Sequence, residues 1–430
     1  MKIIYIGMSL DFIHHGHINI LEKASKYGKV ILGLLTDEAI AERKQIPYLN
    51  YLQRKQIAEN IKNVHKVVEQ NDWDYSINLK KIKPDYFIHG DDWKSNDVKI
   101  RENVIKTLKS YGGKLIEIPY TKNISSTNMK SELLKMGVSP DVRKKSLKRI
   151  LANKKILRIL EAHSPLSAII AENMTENTKN KTKIFDGFWS SSLTDSTLLG
   201  KPDIEAINIS QRIININNIF DVTTKPMIVD GDTGGIPEHF SINVKALERQ
   251  GVSAVIIEDK KGLKKNSLLG NEVKQEQEDV ELFSEKIKMG VKSKNSEDFM
   301  IIARIESLIL EKGLDDAMIR SEKYLKAGAD GIMIHSRKKT PDEVFEFASK
   351  FRNHSDKTLV CVPTSFNQTL IKDFEKHKFN IVIYANQMLR ASFKSMENVA
   401  QEILKHDRSF DIEKKITSIK KILKLIPGTV

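Results

Sequence analysis

Short apolar runs separated by helix-patterned stretches recur along most of this chain, and that alternation narrows the folds open to it. Eight of them fall at Ala168–Ala171, Ile184–Phe188, Met227–Val229, Val255–Ile257, Met300–Ala303, Gly331–Ile334, Leu359–Val362 and Ile381–Tyr384. Helical patterns lie between most of them, for instance Val273–Met289, Leu314–Ala327 and Pro341–Phe351. Parallel strands need a crossover connection, usually a helix. Eight such units in roughly 250 residues predict a (β/α)8 TIM barrel, with its chemistry at the carboxyl ends of the strands.

The N-terminal part alternates in the same way but with fewer units. Apolar runs at Ile3–Ile6, Val30–Leu35, Tyr86–Ile88 and Leu115–Ile118 are separated by helical stretches such as His17–Tyr27 and Asp97–Tyr111. This predicts an open parallel sheet with helices on both faces, a Rossmann-like α/β domain. At 430 residues the chain exceeds one ordinary core. The reading divides it into residues 1–137, a basic helical linker over 138–155, and a barrel over 156–430. The linker's run DVRKKSLKRILANKKILR, Asp141–Arg158, reads as a solvated helix with a basic outer face. The polar stretch Asn173–Lys183 reads as a surface insertion.

The formal charge of +14 raises the question of nucleic acid. Lys and Arg are dispersed, however, and the basic linker has no aromatic stacking platform beside it. Anionic small molecules suit this charge better, so no nucleic-acid partner is expected. No apolar run is long enough for a bilayer, and the start MKIIYIGMSLDF is too polar for a secretory segment. A cytoplasmic protein without a membrane partner is expected. The single cysteine, Cys361, rules out a disulfide framework and a cysteine-ligated zinc site.

Val255–Ser267, VIIEDKKGLKKNS, is an apolar strand that ends in Glu258 and Asp259 and runs into a Lys/Gly loop closing with Asn266 and Ser267. Carboxylates at a buried strand end are costly unless they hold a cation or a substrate. The other strand ends carry Trp189 and Ser191, Asp230 and Asp232, Arg304, and His335. In an extended VDGDTG segment Asp230 and Asp232 would point to one side, with Gly231 and Gly234 allowing close backbone approach. One strand-end acid alone would read as a loop cap. Three carboxylates, an Arg and a His on one rim read as a magnesium site for an anionic substrate.

The stretches EAHSPLSA, GFWSSSL, GKPD, VDGDTG, EDKKGLKKNS, ARIES, IHSRK and IYANQMLRAS lie in order from Glu161 to Ser392. With them the chain from about Ile156 onward resembles the phosphoenolpyruvate mutases of the isocitrate lyase superfamily. The resemblance implies Mg²⁺ on Asp230, with Asp203, Asp232 and Glu258 acting largely through its waters. It places Trp189, Ser191 and Leu193 against the substrate, and Arg304 and His335 on its phosphoryl and carboxylate groups. Lys264, Asn266 and Ser267 would belong to a gating loop, and Asp203 would stand among the catalytic groups. The superfamily's C–C lyases carry a cysteine in a KKCGH-like loop, whereas this loop reads KKGLKKNS. Phosphonopyruvate hydrolases tend to lack the loop Asn, so Asn266 favours the mutase.

The first strand runs into GMSLDFIHHGH, with His14 and His17 at the start of a helix. Alone, such a pair could be structural, metal-binding or phosphate-binding; a helix start after the first strand suits phosphate. ISSTNMKSEL offers the hydroxyls of Ser125, Ser126 and Thr127 at another helix start. With TDE at Thr36–Glu38, Arg54 and GDDW at Gly90–Trp93, Met1 to about Leu134 resembles the cytidylyltransferases for glycerol 3-phosphate and choline phosphate. That implies His14 and His17 on the α-phosphate, and Ser9, Arg43 or Lys44, Arg54 and the ISST hydroxyls on CTP. Asp91 and Asp92 would lie nearby. GMSLD replaces the family's GTFD, and Tyr120-Thr121-Lys122-Asn123 stands where an Arg usually precedes the hydroxyl motif.

Together the halves imply a bifunctional enzyme of phosphonate biosynthesis. It would isomerise phosphoenolpyruvate to phosphonopyruvate with Mg²⁺ and transfer a cytidylyl group from CTP to a phosphonate acceptor. The alternatives are a mutase with a CTP-sensing or assembly module, and a phosphonopyruvate hydrolase. By resemblance the protein would be a homo-oligomer, a tetramer.

Overall fold

A computed structural model of the chain describes residues 2–91, 93–119, 138–177 and 182–426. The N-terminal domain is a five-stranded parallel sheet. Its strands, in chain order, are Ile3–Met8, Lys29–Leu35, Lys66–Gln70, Tyr86–Gly90 and Lys114–Ile118, and across the sheet they run third, second, first, fourth, fifth. The order therefore reverses between the first and fourth strands, where open α/β sheets bind ligands beyond their carboxyl ends. The segment carrying Ser9 and His14 leaves the first strand at that point. Lys66–Gln70 is absent from the sequence reading, because KVVEQ is a half-polar edge strand with too little apolar pattern to register.

The second domain is a closed barrel of eight parallel strands: Leu157–Glu161, Gly187–Ser190, Met227–Asp230, Ala254–Glu258, Met300–Ile305, Gly331–Ile334, Thr358–Cys361 and Ile381–Tyr384. The last pairs with the first through Ile381–Leu157 and Tyr384–Leu160. Alternate residues fill the interior, among them Leu157, Ile159, Ile256, Ile302, Ile381 and Ile383. Their neighbours, such as Val255, Ile257, Ile301 and Ala303, pack outward against the helices. That two-residue alternation is the strand's own geometry and sorts the side chains into two cores.

Two of the eight expected strands are placed differently. Ala168–Ala171 lies inside the helix Pro165–Asn173, capped by Ser164 with Pro165 in its first turn; the first barrel strand is Leu157–Glu161. A short apolar run is ambiguous between helix and strand, and the Ser-Pro pair was the deciding start signal. Ile184–Phe188 is divided. Thr182–Ile184 pairs antiparallel with Thr175–Asn177 in a ribbon outside the barrel, and the barrel strand begins at Gly187. The helix expected from Val273 begins at Val280, where the Asp279 side chain caps it.

The basic linker is not a solvated helix. Pro140–Asn153 lies across the amino-terminal end of the barrel, and Leu147 joins the barrel's inner core. Arg143 is buried and donates to the carbonyls of Lys225 (2.9 Å), Phe220 (3.1 Å) and Thr223 (2.5 Å). Charge density marked the helix as basic, but its apolar stripe and Arg143 decide where it packs.

After the eighth strand, the 20-residue helix Gln387–His406 has no buried residue, and Phe393, Met396 and Leu404 are exposed on it. No helix among the described residues is long and apolar enough to cross a membrane.

Candidate active site

The carboxyl ends of the barrel strands converge on a cavity of about 60 Å³. Trp189, Ser191, Leu193, Asp203, Asp230, Lys264, Asn266, Ser267, Arg304 and His335 line it. These residues come from five strand ends and the loops that follow, which only barrel closure brings together.

Lys264 reaches in from the loop after the fourth strand. Its ammonium lies 3.0 Å from Asp230 Oδ2, 2.9 Å from Asp232 Oδ1 and 3.6 Å from Asp203 Oδ1, and it also contacts Ser192 Oγ. Burial works against its charge, but these carboxylates hold its pKa well above the usual lysine value. Burial likewise opposes ionisation of Asp230, yet Lys264, Arg304 and Arg212 keep it below the usual carboxylate range. Ser192 Oγ bridges Asp230 (2.9 Å) and Asp203 (3.0 Å), and Asn266 Nδ2 donates to Asp203 Oδ2 at 2.9 Å.

Asp232 does not continue an extended strand. Its φ is +55°, and Gly234 and Gly235 are also left-handed, so VDGDTG turns sharply and the turn presents both carboxylates to Lys264. A Cβ on Gly231 would lie 2.7 Å from Val255 Cγ2 and 2.9 Å from Ile257 Cγ2, so only glycine fits where this turn crosses the neighbouring strand.

A second cluster surrounds Ser267. Its hydroxyl donates to Glu306 Oε2 (2.5 Å) and accepts from Arg304 Nη2 (2.6 Å) and Lys260 Nζ (2.7 Å). Arg304 also pairs with Glu306 at 2.6 Å and Glu258 at 3.2 Å. Burial raises the Glu258 pKa despite Arg304 and Lys260, and neither of its buried oxygens accepts a hydrogen bond among the described residues. His335 is pushed down to about 3 by burial and by Arg304, which leaves its imidazole neutral. His335 Nδ1 and Trp189 Nε1 are buried with no hydrogen-bond partner among the described residues.

Sequence reasoning passed over Ser192, Lys260 and Glu306. Glu306 was within sight, two residues beyond Arg304 in ARIES. It also passed over Arg212, which lies beneath the rim on the helix Ile209–Phe220. That guanidinium donates to Asp195 Oδ2 (2.9 Å), the Ser190 carbonyl (2.8 Å) and the Asp230 carbonyl. No local pattern marks a helix arginine as the support of a strand end.

The magnesium expectation meets a different arrangement. Among the described residues no group of three or more His, Cys, Asp or Glu side chains is disposed to hold a metal ion. Asp203, Asp230 and Asp232 instead converge on the ammonium of Lys264. Three carboxylates and a hydroxyl around one cation are nonetheless the hard-oxygen donor set that Mg²⁺ takes, so the residues fit the ion.

In the N-terminal domain His14 caps the helix His15–Ser25 rather than lying within it. Its Nδ1 accepts from the Gly16 amide at 3.1 Å, and its own amide donates to His17 Nδ1 at 3.4 Å. The two rings are 4.0 Å apart. Burial lowers His17 to about 4, and His14 is lowered too. Arg43 pairs with Asp97 at 2.9 Å, and Arg43 and Lys44 both lie over the Trp73 ring. The Asp91 amide donates to the Ile118 carbonyl at the sheet's edge.

Arg54, expected on the nucleotide, lies beneath the segment that carries Ser9. It is fully buried, and its guanidinium donates to the Leu49 carbonyl (3.2 Å), the Ser9 carbonyl and Asp37 (2.6 Å). Through these bonds it orders the loops around Ser9. Asp92, Ser125, Ser126, Thr127 and the Tyr120–Asn123 departure lie outside the described residues.

Comparison with known proteins agrees with this two-part architecture. Residues 147–404 match the family described as phosphoenolpyruvate phosphomutase, and residues 5–132 match the cytidylyltransferase-like family. The phosphoenolpyruvate phosphomutase of Tetrahymena pyriformis is 32% identical over 298 residues, 69% of this chain and 95% of that protein. The phosphonopyruvate hydrolase of Variovorax sp. strain Pal2 is also 32% identical, over 282 residues, 65% of this chain and 93% of that one. The crystal structure of phosphoenolpyruvate phosphomutase from Streptomyces platensis subsp. rosaceus superposes with a TM-score of 0.60 at 32% identity, covering 65% of this chain and 93% of that one. The chain therefore belongs to the phosphoenolpyruvate phosphomutase family, its barrel fused downstream of a cytidylyltransferase-like domain.

Proposed function

We propose that the barrel interconverts phosphoenolpyruvate and 3-phosphonopyruvate, and that the N-terminal domain transfers a cytidylyl group from CTP to a phosphonate. The observation that carries the barrel reading is the small cavity closed by Lys264, Asn266 and Ser267 over Asp203, Asp230, Arg304 and His335. In the isomerisation the bond from phosphorus to the enol oxygen breaks and a bond from phosphorus to C3 forms. A metaphosphate-like species between those events must meet carbon before water.

Asp230 would hold Mg²⁺, with Asp203, Asp232 and Glu258 around it, and the ion supplies positive charge to the substrate's oxygens. Arg304 adds a fixed guanidinium beside the cavity. Trp189 Nε1, without a hydrogen-bond partner among the described residues, and the neutral imidazole of His335 are left for the substrate to satisfy. Asn266, bonded to Asp203, ties its loop to the segment that follows the second barrel strand and would keep water out.

The Variovorax relative gives the hydrolase a claim as the second reading. Phosphorus NMR of the protein with phosphonopyruvate and Mg²⁺ separates the two. A mutase accumulates phosphoenolpyruvate, whereas a hydrolase accumulates inorganic phosphate and pyruvate. The lyase reading has little support, since Cys361 is buried in the seventh barrel strand rather than in the loop.

For the N-terminal domain, His14 and His17, which follow the first strand at the sheet's switch point, would stabilise charge on a five-coordinate phosphorus. Pyrophosphate release from CTP that depends on a phosphonate acceptor supports transfer. CTP binding without turnover favours the sensing module. The exposed apolar residues of Gln387–His406 support a homo-oligomer, with a tetramer expected from the family; light scattering on the purified protein reads its mass.

A further inference from the structure

The helix Pro140–Asn153 carries two arginines that serve different domains. Arg143 is spent on three carbonyls at the barrel's amino-terminal end, the hydroxyl of Ser253 donates to the Arg143 carbonyl at 2.9 Å, and Leu147 is buried in the barrel's inner core. The helix is therefore part of the barrel. Arg149 reaches the other way. Its Nη2 donates to the Pro47 carbonyl at 2.9 Å and its Nη1 to the Tyr48 carbonyl at 2.8 Å, beside a cavity of about 590 Å³ between the domains.

The accepting carbonyls lie in the loop that begins with Arg43 and Lys44. The same loop is tied to the segment after the first strand. The Tyr48 amide donates to Asp11 Oδ1 at 2.6 Å, and Arg54 joins the Leu49 carbonyl to the Ser9 carbonyl. Asp11 and Ser9 belong to the stretch that leads into His14. Residues 47–49 are thus gripped from inside the domain by Asp11 and Arg54, and from the barrel side by Arg149.

We propose that Arg149 is a positioning residue of the nucleotidyl-transfer site, holding the loop that carries Arg43 and Lys44 in register with the His14–His17 segment. A planar guanidinium satisfies two consecutive carbonyls at once and fixes the loop's orientation as well as its distance; an ammonium cannot do both. The nucleotide site of the first domain is then completed by the second, whether or not the barrel is turning over. This rests on reading the N-terminal domain as a CTP site.

The test uses the full chain. CTP affinity of the wild type is measured first by calorimetry, followed by Arg149→Ala and Arg149→Lys. In Arg149→Ala, Kd and KM for CTP should rise about tenfold while kcat stays within about twofold, since binding geometry is lost and the reacting groups are not. The barrel reaction should be unchanged, and Arg149→Lys should recover part of the loss. If Arg149→Ala fails to fold, Arg149→Lys carries the test, with an expected rise in Kd of about threefold. CTP affinity equal to wild type in the folded variant overturns the proposal. So does an equal fall in the activities of both domains, which marks a purely structural helix. A wild type that does not bind CTP overturns the nucleotide reading itself, and this inference with it.

Discussion

Lys264 Nζ lies 3.0 Å from Asp230 Oδ2, with both side chains almost wholly removed from solvent. The pair joins a loop to a strand end, and Asp232 and Asp203 crowd the same ammonium. Most of the barrel's expected behaviour follows from this one cation among three acids.

Lys264→Met should lower the melting temperature in EDTA, because three buried carboxylates would lose the ammonium they share. Removing one partner of a buried ion pair costs about 3–5 kcal/mol. Millimolar Mg²⁺ should return most of the loss by taking the vacated position. Thermal unfolding with and without the ion measures both effects; an unchanged midpoint in EDTA would show that the lysine is not the counter-ion.

Asp230→Ala should abolish the barrel reaction and leave CTP chemistry intact. The side chain meets Lys264 and Ser192 and is the expected direct metal ligand, so several kcal/mol of transition-state stabilisation should go with it. Near-normal phosphorus NMR turnover in this variant would count against the assignment.

Asn266→Ala should lower kcat more than it raises KM, because the bond to Asp203 closes the loop over a migrating group. Pyruvate and phosphate should appear as leakage when phosphonopyruvate is supplied. Steady-state rates with both products assayed decide it, and an unaltered kcat without leakage would remove the loop from the mechanism.

His17→Ala should remove acceptor-dependent pyrophosphate release from CTP while sparing the barrel. Its pKa also makes a stability prediction. The folded value, about 4, lies below the unfolded value because burial opposes the charge. The unfolded chain therefore binds more protons as pH falls, and stability should decline from about pH 6.5 towards pH 4, by up to about 3 kcal/mol. Protonated Nδ1 could no longer accept from the His14 amide. Urea titrations across that range in wild type and His17→Asn measure the effect; identical pH slopes would refute it.

Arg143→Met should destabilise the barrel by about 2–4 kcal/mol, since two buried carbonyls and a partly buried one lose their donor. A urea midpoint within error of wild type would contradict the view that this helix belongs to the barrel.

Much of this protein is set by local pattern. Apolar strands of four to six residues between amphipathic helices can bury their faces only in parallel sheets with helical crossovers, so both fold classes were legible. Asp230, Glu258, Arg304 and His335 stood out because each ends such a strand, and a barrel collects strand ends on one rim. The His14–His17 pair was legible as a helix start.

Other features required the folded chain. Arg143 looks like any surface arginine in one dimension, and only packing shows it, like Arg54, buried against carbonyls. The periodicity of Ala168–Ala171 does not separate strand from helix, and in the folded chain Leu157–Glu161 closes the ring with Ile381–Tyr384 in its place. Ser192 and Arg212 enter the site through partners distant along the chain, so no spacing rule could find them. Strand periodicity acts between neighbours and is written in the sequence. Which distant charges share one buried space is decided by barrel closure, because there each ion must find a partner to offset its lost hydration.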